Sequence, residues 1–361
     1  MRPRAWRRRS LLPLFLATLY GLAIVYASLQ PFANWMAPVA GAPFFLFAPW
    51  PPRWVRYDIV TNCAAYVPFG FFVGLVARRR ANSYLLAMSL GVGVILSFTM
   101  ETLQMFVPAR DASVADLLAN TAGAALGGGL AAAFARSPRA TRSLASARDG
   151  WFLPGIAGDL GLALLAIWLA VQANPGIPLF ATMYDSATRP FAEPAGDDVA
   201  AALVECAHSA FQLIGVGLFV ALLMRERRHV PGAVLLLIGA AAIVKGVAAT
   251  VMLNPAVWEH WLTPAVALGV LIGSLVLALA IRLPRSAQVT LAAVALLSSL
   301  LATLLAPDLL FARAPVRLFN GPYGHLLNFN GLTHTVLLLW PAVASVYLFA
   351  LAGRPRWGEP D

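Results

Sequence analysis

Nearly uncharged apolar runs recur ten times along this chain, near residues 11–29, 59–77, 83–105, 114–135, 151–172, 201–224, 232–253, 262–282, 286–306 and 331–350. Each is about twenty residues long, the length at which a helix crosses the hydrocarbon core of a bilayer. A backbone in lipid must satisfy its own hydrogen bonds, so such runs fold as helices. Only 12% of the residues are charged and mean hydropathy is +0.75, too few charges to clothe a soluble domain of 361 residues. The expected fold is all-α: a polytopic integral membrane protein of about ten transmembrane helices whose partner is the lipid bilayer.

Charge sets the orientation. Lys245 is the single lysine, and it falls inside a run; the other basic residues are arginines clustered between runs. One set of connections holds nineteen: Arg2, Arg4, Arg7, Arg8 and Arg9; Arg78 to Arg80; Arg136, Arg139, Arg142 and Arg148; Arg225, Arg227 and Arg228; Arg282, Arg285, Arg354 and Arg356. The alternate set holds six: Arg53, Arg56, Arg110, Arg189, Arg313 and Arg317. Positive charge marks the cytoplasmic side, so both termini are expected there. Short clusters of this kind set topology, and the net charge of +10 does not signal a nucleic-acid partner. The first run follows a basic segment, as in a signal peptide. Because further runs follow, an uncleaved first span is the better reading, with cleavage near Ala27 as the alternative. Cys63 and Cys206 are too few for a metal framework; two unpaired thiols are expected, with a disulfide as the alternative.

The arginine-rich segment 136–150 reads as a cytoplasmic linker. It separates a four-helix unit, 1–135, from a six-helix unit, 151–361. The longer outer connections, 30–58, 173–200 and 307–330, are rich in Pro, aromatic residues and Asn. They suit interfacial aromatic belts, or alternatively a lid over an outward-facing site.

Polarity gathers at the hairpin of spans three and four, METLQMFVPARDASVADLLAN, residues 100–120. Ser97, Glu101 and Gln104 share one face of span three at i, i+4, i+7. Glu101 lies roughly 8 Å below the helix end, where a free carboxylate is costly. Ser113 or Asp111 can cap span four; Asp116 lies in its first turn, and Asn120 follows one turn later. Arg110 is the expected counter-ion for Glu101 or Asp116. Span two brings Asp58, Asn62 and Tyr66 on one face to the same level. Beneath them Gly70 and Gly74, and Gly123 and Gly127 with Gly128 and Gly129, form the small-residue spacing that lets helix backbones approach. The result is a polar cup at the outer mouth of a tight hairpin bundle.

The ordered set Asn62, Pro68–Gly70, Glu101-x-x-Gln104, Pro108-x-Arg110-Asp111 and Asp116-x-x-x-Asn120-x-x-Gly123 resembles the VanZ-like family. The likeness is carried by about 57–135 and reaches back to 11 if span one is included. The family takes its name from a protein associated with low-level teicoplanin resistance in Gram-positive bacteria, a glycopeptide resistance. The resemblance therefore implies a bacterial cytoplasmic (inner) membrane protein of cell-envelope biology. The six-helix remainder inherits nothing from it.

Two readings of Asn62, Glu101, Gln104, Arg110, Asp111, Asp116 and Asn120 stand side by side. One is a buried network fastening three helices. The other is a site for an envelope or lipid-linked component, with Arg110 on an anionic group and Glu101 as acid or base. Catalytic residues are not assigned, and whether the chain is an enzyme stays open. In the second unit Glu205 and His208 have the i, i+3 spacing of helical carboxylate sites. The other histidines, His260, His325 and His334, are not ordered around that pair, so no metal and no cofactor is assigned. Lys245 is expected to pair with Glu205 or Glu259. No phosphate-cradling glycine loop and no Ser-His-Asp order is present. A transporter, or a membrane-embedded enzyme acting on a lipid-linked substrate, are the alternative functions.

Overall fold

The computed structural model describes residues 10–30, 32–38, 41–48, 56–78, 80–108, 110–174, 198–252, 261–305 and 323–354. Outside them lie most of the long outer connections, the arginines of 2–9, and Arg53, Arg79, Arg189, Arg313, Arg317, Arg356, Glu259 and His260. The Arg56, Asp58 and His325 side chains are likewise outside the description. Among the described residues the chain is all-α, with each expected span on a helix. Eight helices among the described residues are long and apolar enough to cross a membrane, and two more, Gly155–Val171 and Pro264–Ala280, are apolar but shorter. The protein is a multi-pass membrane protein. By contacts it divides into two units, Met1–Asp149 and Gly150–Asp361.

The first unit contains α1 (Leu12–Leu29), α2 (Arg56–Val76), α3 (Asn82–Gln104) and α4 (Val114–Ala135). Its centre is the seam between α2 and α4, where glycine lets the two backbones touch. A β-carbon on Gly70 would strike the Ala124 carbonyl oxygen, one on Gly123 the Cys63 carbonyl, and one on Gly127 the Val67 carbonyl. Gly128 faces Ser89 of α3, whereas Gly129 faces open space. Ser89, fully buried, donates its hydroxyl to the Gly70 carbonyl at 2.8 Å, so even the inner half of α3 holds a polar fastening. Such contacts replace the hydrophobic driving force that lipid-facing helices lack. Helix α1 closes the side of this core: Ala17 and Ile24 are buried with Tyr66, Phe69 and Val73, and Gly21 packs on the Phe69 ring. The helix continues through Ala27 to Leu29. The following segment folds back over the end of α3. Its Met36 amide donates to the Phe106 carbonyl at 2.9 Å, and Phe44 and Phe45 pack on Phe98.

Residues 136–150, expected as a linker, are largely helical: α5 runs Pro138–Trp151 and buries none of its residues. Alanine, arginine and leucine favour a helix across most of this stretch, Gly150 weakens it near its end, and Pro154 precedes a new helix. Gly155, at φ +76°, supplies the left-handed backbone that this turn requires.

The second unit contains α6 (Gly155–Val171), α7 (Asp198–Leu223), α8 (Val230–Met252), α9 (Pro264–Ala280), α10 (Arg285–Leu305) and α11 (Tyr323–Ala352). Helix α7 is its axis, buried over most of its length, whereas α8 is largely exposed. Small residues again explain the approach: Gly215 and Gly217 of α7 receive Leu296 of α10 and Leu277 of α9. Helix α11 fastens to α6 through indole and phenol groups. Trp340 Nε1 donates to the Leu164 carbonyl and the Tyr347 hydroxyl to the Ala157 carbonyl, both at 2.8 Å. Arginine-bearing connections of this unit gather on one face. Arg225 N donates to the Trp151 carbonyl, and Arg227 reaches the carbonyls of Arg282 and Leu283. That gathering is what the alternation of arginine counts requires.

Candidate functional site

In the first unit the polar residues of the sequence do meet, at one end of the four helices. Ser113, extended at φ −143°, is the N-cap of α4 and accepts from the amides of Ala115 at 3.0 Å and Asp116 at 3.3 Å. Its own amide donates to Glu101 Oε2 at 2.9 Å. One residue thus starts α4 and holds the carboxylate of α3 beside that start, where the helix dipole favours an anion. Loss of the hydroxyl in Ser113→Ala is expected to cost about 1 kcal/mol of stability, read as a lower melting temperature of the purified protein. Ser113→Thr should keep the parental melt. An unchanged melt in the alanine variant would show that the cap carries nothing.

Glu101 is 3% exposed, and beneath it lies a layer from all three central helices. Asn62 Nδ2 of α2 donates to Asp116 Oδ1 of α4 at 2.6 Å. Asn120 Nδ2 of α4 donates to Ser97 Oγ of α3 at 2.9 Å. The charges of Glu101 and Asp116 are near enough to act on each other, and the Tyr66 hydroxyl lies beside Ser97 and Glu101. Asn120 Oδ1 in this layer is buried without a hydrogen-bond partner, and so is Gln30 Oε1, just past α1. Buried polar groups in folded proteins are ordinarily satisfied, so these stand out.

Arg110 corrects the expectation of an ion pair. Its guanidinium donates to the main-chain carbonyls of Ala27 at 2.7 Å and Gln30 at 3.3 Å, at the end of α1. Gln104 Nε2 does the same to the Ser28 carbonyl at 2.9 Å. The last carbonyls of a helix have no partner within it, and a cation there also answers the dipole. Partial burial lowers the Arg110 pKa from its ordinary value. Gln104 and Arg110 therefore fasten α1, while Glu101, Asp116, Asn120, Asn62 and Tyr66 form the inner layer. Asp111 is exposed and takes no part in the cap. The α1 carbonyls and Gln30 were not foreseen, because no spacing rule links them to a turn about eighty residues away.

The second unit places its polar residues differently. His208 is fully buried, with Ser299 Oγ of α10 at 3.2 Å from Nδ1. Lys245 is fully buried and donates to the Asn174 carbonyl at 2.8 Å, and Asn174 Nδ2 donates to Thr333 Oγ1 at 2.8 Å. Glu205 is half-buried on α7. Among the described residues no three of His, Cys, Asp and Glu gather as a metal site, and both cysteines are free thiols.

The fold and this hairpin define a class, the multi-pass helical membrane proteins with a polar cluster at one mouth of a glycine-packed four-helix unit. Residues 7–135 match the family model VanZ/LLP1, so the chain carries a VanZ-like domain, built from α1 to α4. Residues from α5 onward lie outside the match. No curated protein matches the chain, and no solved structure does.

Proposed function

We propose that this VanZ-like protein serves the bacterial cell envelope from the cytoplasmic membrane. Its first unit holds the headgroup of an envelope or lipid-linked component in the polar mouth of the hairpin. The observation behind this reading is Asn120 Oδ1, buried without a partner in the layer that holds the Glu101 carboxylate. A fastening network alone would close on itself, since each unsatisfied buried polar group costs about 1–3 kcal/mol. The cluster is rich in acceptors, from Glu101, Asp116, Asn120 and Gln30, while Arg110 turns its Nη2 to the α1 carbonyls. It suits a headgroup that brings hydrogen-bond donors, either sugar hydroxyls or an amine.

Two probes test this on the purified protein, an alkyl glycoside and a long-chain alkylamine, each titrated while the melting temperature is followed. At least one should stabilise the parent, and Glu101→Gln and Asn120→Leu should weaken that response about tenfold or more. A folded parent that answers neither probe, or variants that answer like the parent, would remove the ligand and leave the cluster a fastening. In cells, the same variants should lose any envelope phenotype that the parent confers.

A further inference from the structure

We propose that α5 is an interfacial helix that lies along the arginine-rich face of the membrane and takes the headgroups of anionic phospholipids. This surface is separate from the polar mouth of the hairpin. Along α5, Ala140, Leu144, Ala147 and Trp151 follow one another at i, i+4, i+7 and i+11, a single apolar stripe. Arg139 and Arg142 fall at i and i+3 on another side of the helix. The protein covers the stripe only in part: Ala140 and Ala147 are half-buried and Trp151 stacks on the His229 ring, yet Leu144 is 62% and Trp151 40% exposed.

Connectivity says what covers it. Helix α4 ends at Ala135 and α6 begins at Gly155, so α5 is joined to a span at each end by two or three residues. Such links reach roughly 10 Å at most, which keeps both ends of α5 at the membrane surface. The helix itself is about 21 Å long and carries charge, so it cannot cross. A helix held at both ends against a bilayer, with an exposed apolar stripe and cations beside it, lies in the interfacial plane. Tryptophan at its last position prefers that depth. The occupant must be anionic: from Arg136 to Trp151 there are four arginines against the one carboxylate of Asp149. Arg142 donates Nε to the Pro138 carbonyl at 2.8 Å, yet its side chain stays exposed, and Arg139 is exposed as well. A lipid headgroup satisfies both demands at once, since its phosphate meets the arginines while its acyl boundary takes Leu144. A free phosphate would leave the stripe in water.

The test uses the full chain in vesicles, with Cys63 and Cys206 replaced by serine. A single environment-sensitive fluorophore is attached through Leu144→Cys on the stripe, or through Ser146→Cys on the polar side. Vesicles are phosphatidylcholine alone or mixed with phosphatidylglycerol. The Leu144→Cys probe should be quenched by spin-labelled lipid and shielded from iodide, and the Ser146→Cys probe should show the reverse. Phosphatidylglycerol should strengthen the lipid quenching at position 144. Arg139→Gln with Arg142→Gln should abolish that dependence, with about a fivefold loss of surface preference for each arginine removed. Three results would overturn the proposal. They are equal iodide quenching at both positions, shielding of position 144 from both quenchers (a protein cover), and lipid quenching that ignores phosphatidylglycerol.

Discussion

Gly123→Val is expected to destabilise the first unit by about 3 kcal/mol or more. The added carbons would enter the Cys63 carbonyl and the Tyr66 Cβ, at 3.0 Å even from the first carbon. Ordinary overpacking costs about 1–3 kcal/mol because side chains can move aside. Here the obstacle is main chain inside a hydrogen-bonded helix, so α2 and α4 must separate along their length. Separation would also carry Asn62 away from Asp116 and break the 2.6 Å bond across the mouth. Gly129→Val supplies the control, since nothing stands within 4 Å of a β-carbon there. It should melt within about 0.5 kcal/mol of the parent. The comparison is read from the fraction of protein that stays monodisperse after heating in detergent. Equal behaviour of the two variants would mean that the seam is not where the unit draws its stability.

That seam was legible in the sequence, and so were the positions of the spans, because both rest on local rules. An apolar run of sufficient length has one fold in lipid, and glycines four apart lie on one helix face. The polar mouth was legible in membership but not in pairing. Spacing put Glu101 and Gln104 on one face of α3, and Asp116 and Asn120 on one face of α4. It could not show that Ser113 would hold Glu101 through its amide, or that Arg110 would turn from the carboxylates to α1. Charge attraction favoured the ion pair, but the bare carbonyls at the end of α1 had no other donor and lay within reach. The segment after α4 read as a linker because it is polar between two apolar units. Polarity excludes a span without excluding a helix, and α5 is a helix.

Lys245→Ala should prove the most damaging change tested in the second unit, at about 4 kcal/mol, and Lys245→Met should cost about half as much. The reason lies in the turn that follows α6. The carbonyls of Leu169, Ala170 and Val171 take the amides of Gln172, Ala173 and Asn174, so the helix end closes on itself. Asn174, just past that turn, is buried, and its carbonyl needs a donor that water does not supply. Lys245 lies seven residues before the end of α8, roughly 10 Å down its axis, and its ammonium reaches the Asn174 carbonyl at 2.8 Å. A cation at that end also meets the negative pole of α6. Asn174 in turn donates to Thr333 at 2.8 Å, so the lysine joins α8, the end of α6 and α11. The alanine variant loses a charged hydrogen bond, worth about 1.5–3 kcal/mol, and leaves a cavity where a fully buried stem stood. Methionine refills the stem and forfeits the polar contacts of the ammonium. Thermal melts of the purified variants should therefore rank the parent first, methionine second and alanine last. If methionine falls as far as alanine, packing of the stem contributes nothing and the ammonium carries the whole effect. If alanine melts with the parent, the lysine does not fasten the turn after α6, and its burial must serve something other than stability.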